Sequence, residues 1–469
     1  MKKINNIRIL LAASLSILPI LISCNKDDKA DVTTPDNYLT EITGSTSYTQ
    51  AEFCDYLAKY FDRISSATAG AENGFGLLLN SISGIGNISK PVFKKILAER
   101  CAEMDCIFKK ENGLSTSNSN WHIESYVFKY RSKSYRGEDI ELSGIVTFPV
   151  SNCNDMTVLS SYSLYSHYVQ SSDNESSSRI GNIMQARALF NSAVIIADFE
   201  GYGCSNDRNH SGSIFNVLAR QEVDCAMAAI ELMKQHGAVL SDNGHSDSFG
   251  YSLGAPTAVA VQRYIENYAP DNVASELRFR STYAGGGPFV VSEMLRYFNE
   301  NRDYDCVLSR DCTNGLYVIP ESELGGYKPE DFWIHHELGS ADNATAVRFN
   351  SIYAADMLTS DGLLNEKNPK VRIIFNMADK YSDSRGWTPK HPIFLTHERN
   401  DDKMPYICLE KLYNDLKYRE DGSINTNVYC HLTDHWPFQT NVIHFAETII
   451  AVLNMMLHES PAEVYESIR

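Results

Sequence analysis

Three kinds of side chain stand in this sequence where they could act together: a serine between two glycines, a pair of loop aspartates, and histidines near the C-terminus. The serine is Ser252, in Gly250-Tyr251-Ser252-Leu253-Gly254. A serine hydroxyl is a weak nucleophile at neutral pH. It needs a base to take its proton, and the base needs an acid to fix its tautomer. The acids are Asp401 and Asp402, in LTHERNDDKMPY, directly after an apolar stretch. Three histidines compete for the base. His431 lies within a strand-like run, and His444 lies off the apolar face of a helical run. His435 hangs in the loop between them, in LTDHWPF, and is the expected base. The chemistry such a set performs is attack on an acyl carbonyl, giving a covalent acyl-enzyme that water releases.

A nucleophilic serine of this kind needs a sharp turn from a strand into a helix. Phe249-Gly-Tyr251 can end the strand, and 255–268 reads as the helix. Its N-terminal dipole then faces the developing oxyanion. Residues 243–248, Asn-Gly-His-Ser-Asp-Ser, are poor strand formers and weaken the expectation. Around the serine the texture alternates. Strands are expected at 157–159, 193–197 and 279–284, with helices over 180–190 and 214–236. Strand, helix, strand, helix predicts an α/β fold with a mostly parallel sheet covered on both faces. Ahead of it, 123–130 and 140–148 read as an antiparallel pair turning at Gly137-Glu138. Behind it, a strand over 392–396 delivers the aspartates. A helix over 406–418, a strand over 427–432 and a helix over 441–457 follow.

The chain divides accordingly. Residues 1–23 read as a signal peptide, 24–50 as a flexible linker and 51–120 as an N-terminal helical segment. The sheet occupies 121–287 and 390–469, interrupted by an inserted helical lid over 288–389. Insertions of about 100 residues are too long for ordinary connections and serve as lids or binding elements.

The N-terminus carries Lys2, Lys3 and Arg8, then an apolar run of 14 residues, Ile9 to Ile22. That run is too short to span a bilayer and ends Leu21-Ile22-Ser23-Cys24, the pattern of a bacterial lipoprotein signal. Cys24 is then the lipidated first residue, the chain is exported, and a lipid anchor holds it to the outer membrane, on its periplasmic or surface face. The net charge of −17 argues against a nucleic-acid partner, which needs a basic face. No C-x-x-C occurs among the cysteines, against zinc ribbons and thioredoxin-like sites. Cys101 and Cys106, and Cys306 and Cys312, are close enough in sequence to pair. His335-His336-Glu337 is not H-E-x-x-H, so no metal site is expected. The acyl-enzyme chemistry needs no cofactor.

The pieces SGIVTFP, SSYSLYSHY, AVIIADFEGYG, GYSLGA, AGGGPF, DDKMPY and HLTDHW resemble those of α/β-hydrolases of the secretory lipase and exported esterase type. The resemblance covers roughly 121–457. It implies an α/β-hydrolase fold and a serine esterase or lipase acting on a small acyl, lipid or acylated carbohydrate ester. The family pattern D-x-x-V-P-Y matches Asp401-Asp-Lys-Met-Pro-Tyr406, which selects Asp401 over Asp402. The family's base maps to His435. The first oxyanion donor is the backbone N–H of Leu253. The second falls near Leu164, where Ser163-Leu164-Tyr165-Ser166-His167 departs from the family's usual His-Gly-Thr or Tyr-Glu-Asp. Tyr251, Tyr165 and Glu200 are expected to line the substrate pocket, with a structural role the alternative for Glu200 and for Tyr202; His210 is expected at the surface, with the pocket as its alternative place.

Two other readings compete. A serine peptidase of the prolyl-oligopeptidase type ordinarily carries a propeller first, and too few residues precede this sheet for one. A non-catalytic surface lipoprotein binding a ligand in the old pocket draws its support from the unusual oxyanion loop.

Overall fold

The computed structural model describes residues 35–451 apart from 36, 70–89, 114–120, 154–155, 169, 171–174, 209, 302–320, 329–330, 336–350, 402, 420, 435–442, 445–446 and 448–450. Contacts divide the chain after Thr34, and the described residues all belong to the unit Pro35–Arg469. The signal segment with Cys24, Asp402, His435 and the pair Cys306/Cys312 lie outside the described residues.

A nine-stranded sheet carries the molecule. Its strands are β1 (Leu39–Tyr48), β2 (Trp121–Lys133), β3 (Asp139–Ser151), β4 (Thr157–Ser166), β5 (Ser192–Ala197), β6 (Ala238–Tyr251) and β7 (Phe279–Gly285). After β8 (Trp333–His335) and β9 (Ser351–Tyr353), which form a separate antiparallel ribbon, come β10 (Ile393–Glu398) and β11 (Val428–Thr433). The spatial order is β1-β2-β3-β5-β4-β6-β7-β10-β11. β1, β2 and β3 pair antiparallel, β3 meets β5 antiparallel, and every later pairing is parallel. β5 shows why. Ser-Ala-Val-Ile-Ile-Ala is buried at every position, as a central strand covered on both faces requires.

Helices cover those faces: α1 (Gln50–Ala69), α2 (Lys90–Glu111), α3 (Phe215–Gln235), α4 (Gly254–Asn267), α5 (Val291–Glu300), α6 (Pro369–Tyr381) and α7 (Ile407–Lys417). On one face Phe53, Leu57, Phe93, Leu97 and Phe108 of α1 and α2 pack on Ile123, Val194, Phe249 and Phe394. The N-terminal helical segment is thus a layer of the sheet's own core. A larger cluster joins α3 to β2–β5 and takes in Phe298, Leu324, Phe332 and Phe375. The described parts of 288–389 therefore share the main core, and hold a β-ribbon besides helices.

Several expectations are corrected. β1 occupies residues assigned to the flexible linker; the carboxylate of Glu231 accepts from the N–H groups of Tyr38 and Leu39 at its start. The segment 183–190 is a 3₁₀ helix, opened by a capping box between Asn182 and Gln185 and closed by left-handed Asn191. Residues 243–248, poor strand formers, belong to β6, which β4 and β7 hold on both sides. Its buried Asp247 accepts from Arg280 at 2.9 and 2.6 Å and from Ser281 at 2.6 Å, so the strand's buried carboxylate is satisfied. Cys101 faces inward and Cys106 outward on one helix, and it is Cys54 whose sulfur lies 3.4 Å from that of Cys101. Among the described residues no helix is long and apolar enough to cross a membrane.

Candidate active site

β6 leads straight into α4, and the residue at the corner is Ser252, with φ of 57°. A non-glycine residue in this left-handed region is strained, and such strain persists where the surroundings over-determine it. Here Ser252 N–H donates to Gly285 O at 3.0 Å, and Ala255 N–H to Ser252 O at 3.0 Å. Both flanking glycines are steric necessities. A Cβ on Gly250 would lie 2.1 Å from Gly254 O, and one on Gly254 would lie 2.0 Å from Ser166 O. The corner is thus wedged against the end of β4.

The Ser252 hydroxyl lies 2.9 Å from Nε2 of His444. Nδ1 of the same ring lies 2.8 Å from Oδ2 of Asp401. All three side chains are buried, Ser252 retaining 9% exposure. Asp401 follows β10, and its other oxygen accepts from the N–H groups of Lys403 at 2.8 Å and Met404 at 2.9 Å. Burial pushes its carboxyl upward. The charge and hydrogen bond of His444, with His397 and the Met404 N–H, outweigh that and hold it below the ordinary range. An ionised Asp401 accepts a hydrogen bond from Nδ1–H and so keeps the proton on that nitrogen, leaving Nε2 free to accept from Ser252. His397 Nε2 donates to Met404 O at 2.8 Å and braces the aspartate turn; burial keeps its pKa low and its ring neutral.

The histidine between Ser252 and Asp401 is His444, in place of the expected His435. His431 stands in β11 opposite Thr396. His444 and Glu447, three residues apart, are both buried beside Ile443, and no short pattern in the sequence marks them.

Other expectations move as well. Leu164 is an interior residue of β4, paired with Ile195 on one side and Ser248 on the other, so its backbone serves the sheet. The loop after β4 begins at His167, whose peptide packs beside Gly254. Tyr165 is fully buried in the core under α1 and α2. Glu200 is committed to structure: Arg208 Nε donates to it at 2.8 Å and the Tyr135 N–H at 3.1 Å. His210, expected at the surface, is buried, its Nδ1 2.8 Å from Glu200 O. Tyr251 is buried with its ring 5.9 Å from that of His444, where it packs on the histidine. Leu253, next after Ser252, opens α4. Among the described residues no three His, Cys, Asp or Glu side chains gather to hold a metal ion.

Solved structures share this fold. A rice cell wall degrading esterase, LipA, from Xanthomonas oryzae superimposes with a TM-score of 0.53 at 17% identity, over 76% of this chain and 93% of that one. A protein of Legionella pneumophila described provisionally as a hydrolase gives 0.52 at 16% identity, over 78% and 94%. No family model matches the sequence, and no curated protein does. The fold is that of the α/β-hydrolases, with a mostly parallel open sheet and helices on both faces.

Proposed function

We propose that this chain is a serine hydrolase that cleaves carboxylic esters through an acyl-enzyme. The observation that carries the reading is the continuous chain Ser252 Oγ, His444, Asp401, with both bonds under 3 Å. Ser252 attacks the acyl carbonyl while His444 takes its proton at Nε2 and returns it to the leaving alcohol. Asp401 orients the ring and stabilises its charged form. Water then repeats the cycle in reverse and frees the acid. The oxyanion is held by the Leu253 N–H, with the second donor at His167, the first residue beyond β4. The esterase identity of the Xanthomonas neighbour supports esters over peptides as substrates. Export and attachment through Cys24 complete the proposal and place the site outside the cytoplasm.

A fluorophosphonate probe tests the chemistry. Labelling of Ser252, located by peptide mass and lost in Ser252→Ala and His444→Ala, is expected. A folded wild-type protein left unlabelled overturns the reading. Cys24→Ala tests the anchor: the protein should leave the membrane fraction, and retention there refutes lipidation at that residue.

A further inference from the structure

Glu222 is the buried acid that the reaction above does not use. It lies on α3, wholly buried, and accepts a hydrogen bond from the Ser166 hydroxyl through Oε2. Its Oε1 has no hydrogen-bond partner among the described residues. An apolar side chain would fill such a position without the cost of desolvating a carboxyl. What distinguishes the position is its neighbour. Ser166 ends β4, stands level with Gly250 in the ladder, and its carbonyl fills the space that a Gly254 Cβ would need. The next peptide begins the loop that supplies the second oxyanion donor.

We propose that Glu222 is a positioning residue for the oxyanion hole: through Ser166 it fixes the end of β4, and so the placing of the first loop residues, 166–167, against the Ser252–Gly254 turn. This rests on the hydrolase reading. Burial pushes the Glu222 carboxyl up to about 8, with the Ser166 bond pulling the other way. At neutral pH it is an uncharged acid. The titratable groups that feel it are Tyr165 on β4 and Cys225 on its own helix, and no basic group enters its balance. Above its pKa the Ser166 bond becomes charge-assisted, but the carboxylate stands desolvated in the core, and that cost favours opening of the packing around the end of β4.

The test compares wild type, Glu222→Leu, Glu222→Gln and Ser166→Ala, using p-nitrophenyl butyrate from pH 6 to 10. Labelling of wild-type Ser252 is read first. Glu222→Leu and Ser166→Ala should lower kcat by about 10- to 100-fold, as for a small displacement of one oxyanion donor, with KM little changed. Glu222→Gln keeps shape and hydrogen bond, so it should restore kcat at pH 7. It should also lack the fall in rate expected of wild type on passing about pH 8. Wild-type kcat in Glu222→Leu or Ser166→Ala, with only the melting temperature lowered, makes the residue merely structural and overturns the proposal. If Glu222→Leu does not fold, Ser166→Ala and the pH profile of Glu222→Gln decide. An alkaline limb unchanged in Glu222→Gln also counts against it. Wild type that neither labels nor turns over ester removes the hydrolase reading itself, a result distinct from all of these.

Discussion

At Ser252 the effect of a substitution is decided by one hydrogen bond, 2.9 Å long, to His444 Nε2. His444→Ala removes the only side chain seen to bridge serine and aspartate among the described residues. It should lower kcat on a p-nitrophenyl ester by about 10⁴-fold or more, whereas His435→Ala should leave the rate near wild type. Asp401→Asn should cost about 10⁴-fold by presenting the wrong tautomer to Ser252, with the fold intact. Steady-state kinetics on the three variants checks both. The contrast also shows what was legible. Ser252 and Asp401 could be found because each sits in a short local pattern. His444 could not, because loop position favours His435 and nothing local marks a helical histidine as buried. Glu200 misled for a similar reason: a loop carboxylate beside a central strand reads as a pocket group until its partners Arg208 and Tyr135 are seen.

The elements show the same division between local and distant information. The alternation of apolar runs identifies β5, α3, β7 and β10 from composition alone. β6 escapes it: its polar middle is a strand only because β4 and β7 flank it and Asp247 finds Arg280 and Ser281. β1 escapes for the same reason, since a polar edge strand takes its order from β2. The corner between β6 and α4 has the least tolerance. Gly254→Ala sets a methyl carbon 2.0 Å from the Ser166 carbonyl, a backbone atom that cannot rotate away. Overpacking of this kind costs about 1–3 kcal/mol. It should lower the melting temperature and slow fluorophosphonate labelling together, because the displaced segment carries the proposed oxyanion donor. A variant that melts lower yet labels at the wild-type rate would separate stability from the site and contradict the placement of His167.

Over the whole molecule, buried ionisable groups pull the stability in opposite directions with pH. Asp247 is the acid-side example: burial pushes its carboxyl up, but the bonds from His245 and Arg280 prevail and hold it at about 2. Its contribution is present above the ordinary aspartate range and is lost as pH falls towards 2. Buried His167 and His397, held neutral by desolvation, also cost stability as pH falls below 6.5 and the unfolded histidines take up protons. Glu222 has the opposite sign. Its folded pKa is raised from 4.5 to about 8, so across that interval the native state holds a proton that the unfolded chain has released. Stability therefore falls as pH rises through the interval and is level above it. Asp224, raised by burial to about 6, acts likewise but is spent by then. Among the described residues Glu222 is the main descending contribution between pH 6.5 and 8, with a slope of about 1.4 kcal/mol per pH unit for one proton. Urea midpoints measured at half-unit steps over that window should decline in wild type and stay flatter in Glu222→Gln. The difference between the two should grow to roughly 2 kcal/mol at the upper end. Parallel curves would mean that Glu222 is already ionised in the folded protein at neutral pH. The Ser166 bond would then be charge-assisted, and the alkaline fall in rate expected of wild type would have to vanish with it.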